Sequence, residues 1–504
     1  MDKATGSPLR QASVPSDEVE VRPSRAAFLR SLLLDGAKLA IPGFYLPLRT
    51  LIEHYGYVTR DYRLLVLALG TTGLTVLSAV GAQRMGLSRA SSVNVGVVIG
   101  LTLAFGGRLA VALPGSTWAV LVLLATGVAL IIKLSRFRLI DYVVTWLTLV
   151  LWLWIGLTLI QTWISADELI LSTADPAVVD LDEPEGDVVV VILDEYPNAD
   201  IIARTLDLDM DGFVASMVDS GFHVDASLPA SYAFTEFAIP AFLMLDLPAL
   251  AGDVLSESSR RELQAVSGGR NAMFEAFERE GYRTTVVESG WSGLRCMENV
   301  DRCVVRSWYD EVTASVLESS LIGGLLADRL GSPFTLGSER VMAWIRNELP
   351  AVGRDEQDDL VIVHVMLPHT PIAFNASCAK GDPSPDLAVD GLAAQVLCAN
   401  EVIELVSAAT QDGLVTVVMG DHGSKLLGQT QLPPDHWTKE MIAERMRTLV
   451  AVRGLADCDE PLPRSTANVS VHLMRCLGAD IAYLPDVAYA TSVHGDPLVD
   501  VYPP

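Results

Sequence analysis

The chain has 504 residues, half of them hydrophobic, with a mean hydropathy of +0.35 and a net charge of −26. That length allows two or three domains. The hydropathy is high for a wholly soluble enzyme, and the acidic balance argues against nucleic-acid partners, because phosphate backbones select positive surfaces.

The charge is divided along the chain: 15 Lys+Arg and 8 Asp+Glu precede Ser165, whereas 21 and 54 follow it. An apolar, mildly basic front joined to an acidic back predicts a membrane domain carrying a soluble one. Residues 1–30 are a polar tail with Lys3, Arg10, Arg22, Arg25 and Arg30. They lack the continuous apolar core of a cleaved signal peptide. Five apolar runs follow: Leu32–Ile52, Leu64–Ala82, Ser92–Leu113, Thr117–Ile132 and Leu139–Ile164. Most are long enough to cross a bilayer, so residues 31–164 are expected to form an α-helical domain of about five spans. Asp35, Lys38, Pro42, Pro47 and Arg49 interrupt the first run, which reads as a span or a re-entrant segment. Asp35, Lys38 and Arg108 are functional candidates, because ionisable groups inside a membrane are costly. Arg49, near the end of a run, reads as snorkelling to the headgroups.

Arg84 and Arg89 follow the second run, and Lys133, Arg136 and Arg138 the fourth. With the basic tail they mark the cytoplasmic side. An odd number of spans then places everything after Ile164 outside, on a multi-pass protein of the plasma or inner membrane. All six cysteines (Cys296, Cys303, Cys378, Cys398, Cys458 and Cys476) lie in that outer part. An even number there fits disulfides, and no C-x₂-C pair suggests zinc. Of fifteen connectivities, the sequential one (Cys296–Cys303, Cys378–Cys398, Cys458–Cys476) closes short loops.

Residues 165–186 are acidic, contain Pro176 and Pro184, and read as a linker. The soluble domain, 187–504, opens on Val188–Leu193, an unbroken apolar run that predicts a strand buried on both faces. It ends in Asp194 and Glu195 and a Tyr-Pro-Asn turn. Ile201–Ser220 has helical spacing, and Phe222–Asp225 reads as a short strand. A polar turn with Ser231 and Thr235 leads into an apolar helix. Thr235 at its start is either an N-cap or a nucleophile on the positive end of the helix dipole. Asn271–Glu280 reads as a helix, and strands are expected at Tyr282–Glu288, Leu360–Met366, Leu414–Met419 and Thr448–Val452, with helices at Leu397–Ala409 and Ala467–Leu477. Such alternation predicts an α/β domain: a mostly parallel central sheet with helices on both faces.

Two further strands end in polar clusters, Leu367-Pro-His-Thr-Pro371 and Gly420-Asp-His-Gly423. Ligands in open α/β sheets sit at the carboxyl ends of strands. Asp194, Glu195, His369, Asp421 and His422 are therefore expected at one edge beside Thr235. Carboxylates, imidazole and a hydroxyl suit one divalent ion, Zn²⁺, Mn²⁺ or Mg²⁺. His364, inside a strand, reads as a core residue. His436 and His494, in polar loops, are possible substrate contacts, and His54, His223 and His472 lack a matching context.

The order of strand-Asp-Glu, Thr at a helix start, Leu-Pro-His-x-Pro and Gly-Asp-His-Gly resembles the sulfatase-like branch of the alkaline phosphatase superfamily. With five spans ahead of an outer domain, the chain is similar to lipoteichoic acid synthases and lipid A phosphoethanolamine transferases. The resemblance covers about Val188 to Val493. It implies Asp194, Thr235, Asp421 and His422 as metal ligands, Thr235 as the nucleophile and His369 as the group contacting substrate or leaving alcohol. Glu195 occupies the place of a second acid that sulfatases use on their metal and the transferases usually lack. The C/S-x-P-x-R motif of classical sulfatases is missing, which speaks against sulfate-ester hydrolysis. Two-metal phosphatases need a further Asp-x-x-x-His set and a late His, and no clear set of that kind stands out, which favours one metal over two. The implied activity is metal-dependent transfer of a phospho-alcohol headgroup, of phosphoethanolamine or phosphoglycerol type, from a membrane phospholipid to an envelope glycan or lipid. The alternatives are a phosphodiesterase, a phosphatase or another sulfatase-like hydrolase using the same site, and an inactive membrane-anchored scaffold.

Overall fold

The computed structural model describes residues 25–53, 62–112, 125–126, 128–130, 133, 138–172 and 178–504, the last without 183–185, 249–262, 264–265, 268–270, 291–293, 295, 297–299, 305–309, 322, 324–331, 355, 385–388, 411–412, 456–457, 459 and 494–495. The front of the chain is helical: Arg25–Glu53, Tyr62–Arg84, Arg89–Ala112 and Arg138–Ser172. These helices account for four of the five predicted runs, and most of the Thr117–Ile132 run lies outside the described residues. Pro42 and Pro47 do not end the first helix, and the last one continues past Ile164 to Ser172, into the segment expected as linker.

The first three helices approach closely at glycines. A Cβ on Gly43 would meet Thr72 Oγ1 at 2.2 Å, and one on Gly96 would meet Ala79 Cβ at 2.9 Å. Small residues allow such approach between apolar helices, where burial alone gives little preference over lipid. Arg89 Nε donates to Asp35 Oδ2 at 2.8 Å, and Lys38 Nζ to Asp141 Oδ1 at 2.6 Å. Asp35 and Lys38, expected as functional candidates, are thus ties between helices. The side chains of Arg49 and Arg108 lie outside the described residues.

Among the described residues, three helices are long and apolar enough to cross a membrane: Leu64–Arg84, Asp141–Thr158 and Val389–Ala409. The third belongs to the α/β part of the chain, where Leu392, Val396, Val402 and Ile403 bury its apolar face against the sheet.

The strands, in chain order, are β1 (Val188–Leu193), β2 (His223–Pro229), β3 (Arg283–Val287), β4 (Arg302–Val304), β5 (Asp359–Val365), β6 (Ile372–Phe374), β7 (Lys380–Ser384), β8 (Val415–Gly420), β9 (Arg447–Arg453), β10 (Tyr489–Ala490) and β11 (Val499–Asp500). Seven make one sheet in the order β2-β9-β8-β1-β5-β3-β4. β9 runs antiparallel to both of its neighbours, and the other pairings are parallel. All six strands expected from sequence are present. β1 is central and wholly buried because its side chains alternate between two cores. Val189, Val191 and Leu193 face the helices Ala199–Leu206, Pro333–Asn347 and Val389–Ala409, whereas Val188, Val190 and Ile192 face Thr235–Met244, Ala272–Arg279 and Ala467–Cys476.

The expected helix 201–220 is two helices, Ala199–Leu206 and Asp211–Asp219, broken where Asp207 turns left-handed at φ 53°. The helix expected from Leu397 begins at Val389. The cysteines pair sequentially, Cys296–Cys303, Cys378–Cys398 and Cys458–Cys476.

Candidate active site

Strand register builds the site. Leu193 at the end of β1 stands level with Val365 of β5 and Gly420 of β8. The ladder continues one residue further, with Asp194 N donating to Val365 O at 2.9 Å and Asp421 N to Leu193 O at 3.1 Å. Two carboxylates on adjacent parallel strands are thereby brought side by side at the carboxyl edge. Glycines make this possible. A Cβ on Gly420 would lie 1.8 Å from Thr448 Oγ1, and one on Gly423 1.9 Å from Glu444 O. The two glycines around Asp421 and His422 are therefore steric requirements of the turn.

Thr235 is the first residue of the helix Thr235–Met244, and Phe234, with no side-chain capping bond, holds the N-cap position. The Thr235 hydroxyl instead donates to Asp421 Oδ2 at 2.6 Å, with Asp194 Oδ1 at 3.4 Å and His422 Nε2 at 3.1 Å. His422 Nδ1 lies 3.1 Å from the Gly423 carbonyl, which can only accept. The imidazole proton therefore sits on Nδ1, and the Nε2 lone pair faces Thr235 and Asp421, the tautomer of a histidine ligand.

The electrostatics fit a cation at this point. Asp194, Asp421 and His422 are each 1% exposed, and their ligand atoms lie within 4.8 Å of one another. Burial, then the charges of Asp421 and Glu195, pushes Asp194 well above the usual carboxylate range, and burial pushes Asp421 up to about 6. Burial, then Arg445, holds His422 well below the usual imidazole range, so it is neutral. Two buried carboxylates and an aimed lone pair make a donor set that one divalent ion neutralises.

Glu195 faces other partners. Its backbone is left-handed, φ 62°, a strained conformation for a non-glycine residue, and its amide donates to Asp421 Oδ1 at 3.1 Å. Its carboxylate meets Arg445 Nη1 at 2.7 Å and Lys425 Nζ at 2.9 Å. Burial alone would raise its pKa, but His369, Arg445 and Lys425 outweigh burial and hold it well below the usual range.

His369, on the loop after β5, gives its Nδ1 proton to the Thr370 carbonyl. Its Nε2 lies 3.3 Å from Lys425 Nζ and 3.9 Å from Glu195 Oε1. Burial lowers its pKa to about 4, against the opposing pull of Glu195. Gln395 fixes this loop, donating to the Pro368 and His369 carbonyls at 3.0 Å each and accepting from the Ala373 amide at 2.7 Å.

The structure thus gathers Asp194, Glu195, Thr235, His369, Asp421 and His422 at one edge. Ser231 stands apart, its hydroxyl oxygen accepting from the Ala467 amide at 3.0 Å. His364 is fully buried, with Nε2 3.7 Å from Asp194 Oδ2, and His436 is exposed. His472 bonds Tyr483 near the Cys458–Cys476 disulfide, while His54 and His494 lie outside the described residues. Sequence reasoning missed Lys425, Arg445 and Gln395. Only Lys425, three residues after His422, carried a positional signal.

No protein-family model and no curated protein matches the chain. Among solved structures it is similar to the integral membrane lipooligosaccharide phosphoethanolamine transferase A of Neisseria meningitidis, at 13% identity over 88% of this chain and 95% of that one, with a TM-score of 0.38. It is similar to the C-terminal periplasmic domain of EptC from Escherichia coli, at 13% identity over 65% of this chain and 96% of that one, with a TM-score of 0.38. A third likeness is to the lipoteichoic acid synthase LtaP of Listeria monocytogenes, at 12% identity over 64% and 84% of the two chains, with a TM-score of 0.38.

Proposed function

We propose that the chain is a membrane-anchored, metal-dependent phosphotransferase that uses Thr235 as its nucleophile. One observation carries this reading. The Thr235 hydroxyl opens a helix yet bonds Asp421 at 2.6 Å and faces His422 Nε2 at 3.1 Å, instead of capping the backbone. A capping threonine would satisfy amides of the first turn.

Asp194, Asp421 and His422, with the Thr235 oxygen, would hold one Zn²⁺, Mn²⁺ or Mg²⁺, which supplies Lewis acidity to the hydroxyl and neutralises phosphate charge. Asp421 takes up the hydrogen of Thr235 as the Oγ attacks a phosphodiester, and the helix N-terminus favours the negative charge that develops there. The Oγ–P bond forms as the bond from phosphorus to the leaving oxygen breaks; that oxygen takes a proton from solvent and departs as the alcohol, leaving a phospho-alcohol on Thr235. His369, neutral and with its Nε2 lone pair turned to Lys425, gives up that contact to accept the proton of the incoming hydroxyl and passes it to solvent. As it does so, the new O–P bond forms, the Oγ–P bond breaks and Asp421 returns its proton to Thr235. Lys425 and Arg445 balance Glu195 beside that step.

The donor we infer is a membrane phospholipid and the acceptor an envelope glycan or lipid, since the site is carried on a chain whose front is a bundle of apolar helices. We place residues 1–30 in the cytoplasm, 31–164 in the membrane, 165–186 as the connection and 187–504 outside. A reporter fused after Ser172 tests that placement, and cytoplasmic signal would overturn it. The activity is tested by incubating the full chain with headgroup-labelled phosphatidylethanolamine or phosphatidylglycerol, with and without acceptor glycan. Release of diacylglycerol with label on a peptide containing Thr235 is expected. Label that passes only to water would make the protein a hydrolase, and no cleavage of either lipid would refute the proposed donor.

A further inference from the structure

We propose that the Lys425 ammonium stands where a second divalent ion would sit, so that the site takes one metal ion and carries its second cation in the protein. The inference rests on the reading above, in which Asp194, Asp421 and His422 hold a single ion.

Two ligand sets share Asp194: Asp194 with Asp421 and His422, and Asp194 with Glu195 and His369. In both, the ligand atoms lie within 4.8 Å of one another, and both combine two carboxylates with an imidazole. By donor chemistry alone the second set is as good a site as the first. What separates them is Lys425. Its Nζ lies 2.9 Å from Glu195 Oε1 and 3.3 Å from His369 Nε2. The His369 Nδ1 proton goes to the Thr370 carbonyl, so the lone pair turned toward Lys425 is the one a metal ion would use. The ammonium therefore occupies the same electron pairs, on the same two residues, that a second ion needs. An ion placed there would lose those donors to Lys425 and meet its positive charge at close range.

Arg445 does not play this part. Its side chain is 2% exposed, and its Nε and Nη1 hydrogens go to Ala233 O, Glu195 and Gly423 O, which fixes it behind the cluster. Lys425 is 26% exposed, at the solvent side of the cluster. An ammonium has three N–H bonds, and the two contacts engage two of them. The third is available to a phosphoryl oxygen held at Thr235. Lys425 is thus a candidate substrate-binding group, delivering one positive charge where a second ion would deliver two.

The test is electron paramagnetic resonance of full-length, detergent-solubilised protein titrated with Mn²⁺. The chain is acidic, so bulk stoichiometry counts surface ions. Spin coupling between two ions about 4 Å apart, the spacing of two-metal sites, reports only a true pair. Wild type is expected to bind one uncoupled ion tightly and to show no coupled pair at millimolar Mn²⁺. Lys425→Gln, with Arg445 still on Glu195, is expected to form the coupled pair, and Lys425→Gln/His369→Ala to lose it again. Lys425→Arg keeps a cation and is expected to behave as wild type. A coupled pair in wild type overturns the proposal without needing any variant to fold. Retention of a single uncoupled ion in folded Lys425→Gln also overturns it. If wild type binds no ion that Asp421→Asn abolishes, the single-ion reading itself fails, and the inference with it.

Discussion

Arg445 donates to Glu195 at 2.7 Å across 250 positions of sequence, with 2% and 5% of the two side chains exposed. The same guanidinium bonds Ala233 O at 2.7 Å and Gly423 O at 2.9 Å. Ala233 is two residues before Thr235, and Gly423 directly follows His422. One buried cation thus ties together Glu195, the turn before Thr235 and the Asp-His turn. Removing one member of a buried pair leaves an uncompensated charge, at a cost of about 3–5 kcal/mol. Arg445→Met should lower stability by that order in denaturant unfolding. Arg445→Met/Glu195→Gln should regain much of it, because neither buried charge of the pair remains and Lys425, the other partner of Glu195, is 26% exposed and reaches solvent. A double variant as unstable as the single one would show that shape, and not charge, dominates at this position.

Gln395 holds the His369 loop from inside. Fully buried on the helix Val389–Ala409, it satisfies the Pro368 and His369 carbonyls and the Ala373 amide. Gln395→Met would leave those groups buried without partners, at about 1–3 kcal/mol for an unsatisfied group. Turnover is expected to fall while affinity for the divalent ion stays unchanged, since no candidate ligand moves. Equal loss of metal affinity and turnover would show that the effect spreads beyond the loop. Three residues on, Cys398 joins Cys378 of the neighbouring hairpin, closing a loop of 20 residues. By loop entropy the bond is worth about 3 kcal/mol, so Cys378→Ser/Cys398→Ser should lose stability of that order.

The sequence made the centre of this fold legible because buried parallel strands leave a plain mark. Val188–Leu193 has no polar residue, and the structure buries all six side chains. The register of β1 against β5 and β8 then brings together acids that sequence placed at strand ends. The sequential cysteine pairing follows from short loops. Other features left no mark. Helix Val389–Ala409 starts well before its clearest apolar stretch, and Asp207 breaks a spacing that reads as one continuous helix. Arg445 and Gln395 act through contacts made 250 and 26 positions away, which no local pattern encodes. The partners of Asp35 and Lys38, Arg89 and Asp141, sit on other helices, where no local pattern shows them.

The buried carboxylates predict how metal removal couples to pH. Burial raises the folded-state pKa of Asp421 to about 6 and that of Asp194 well above the usual range. A carboxyl raised by folding binds its proton more tightly in the native state. The two carboxyls therefore contribute stability that is lost as pH rises from about 4, the unfolded carboxyl value, through 6, whereas His422 and His369, held low by burial, contribute the opposite slope up to about 6.5. Measured relative to Asp421→Asn, which keeps both histidines, the thermal unfolding of chelator-treated protein should shift to lower temperature between pH 5 and pH 7, about either side of the Asp421 value. A saturating divalent ion should flatten or reverse the trend, because it stabilises the ionised carboxylates and binds only the folded site. The same slope with and without ion, or in Asp421→Asn, would place the pH dependence elsewhere in this acidic chain.

Thr235 separates a catalyst from a scaffold. Its oxygen faces three groups that bind cations, and its helix start has no side-chain cap that Thr235 itself provides. Thr235→Ala removes one hydroxyl whose hydrogen bonds go to side chains of the cluster. The expected stability loss is on the order of 1 kcal/mol, the worth of one such bond. Turnover of labelled phospholipid should fall by several orders of magnitude, since the variant has no oxygen to attack phosphorus. Divalent-ion affinity should fall far less, because Asp194, Asp421 and His422 remain. Thr235→Ser keeps an attacking oxygen but loses the methyl that restricts its rotamers, so partial turnover should survive. A quenched reaction of wild type should yield a Thr235 peptide heavier by one phospho-alcohol, and Thr235→Ala should yield none. Wild-type turnover in Thr235→Ala would remove Thr235 from the chemistry. Ser231 could not replace it without giving up its bond to the Ala467 amide at the start of the helix Ala467–Cys476.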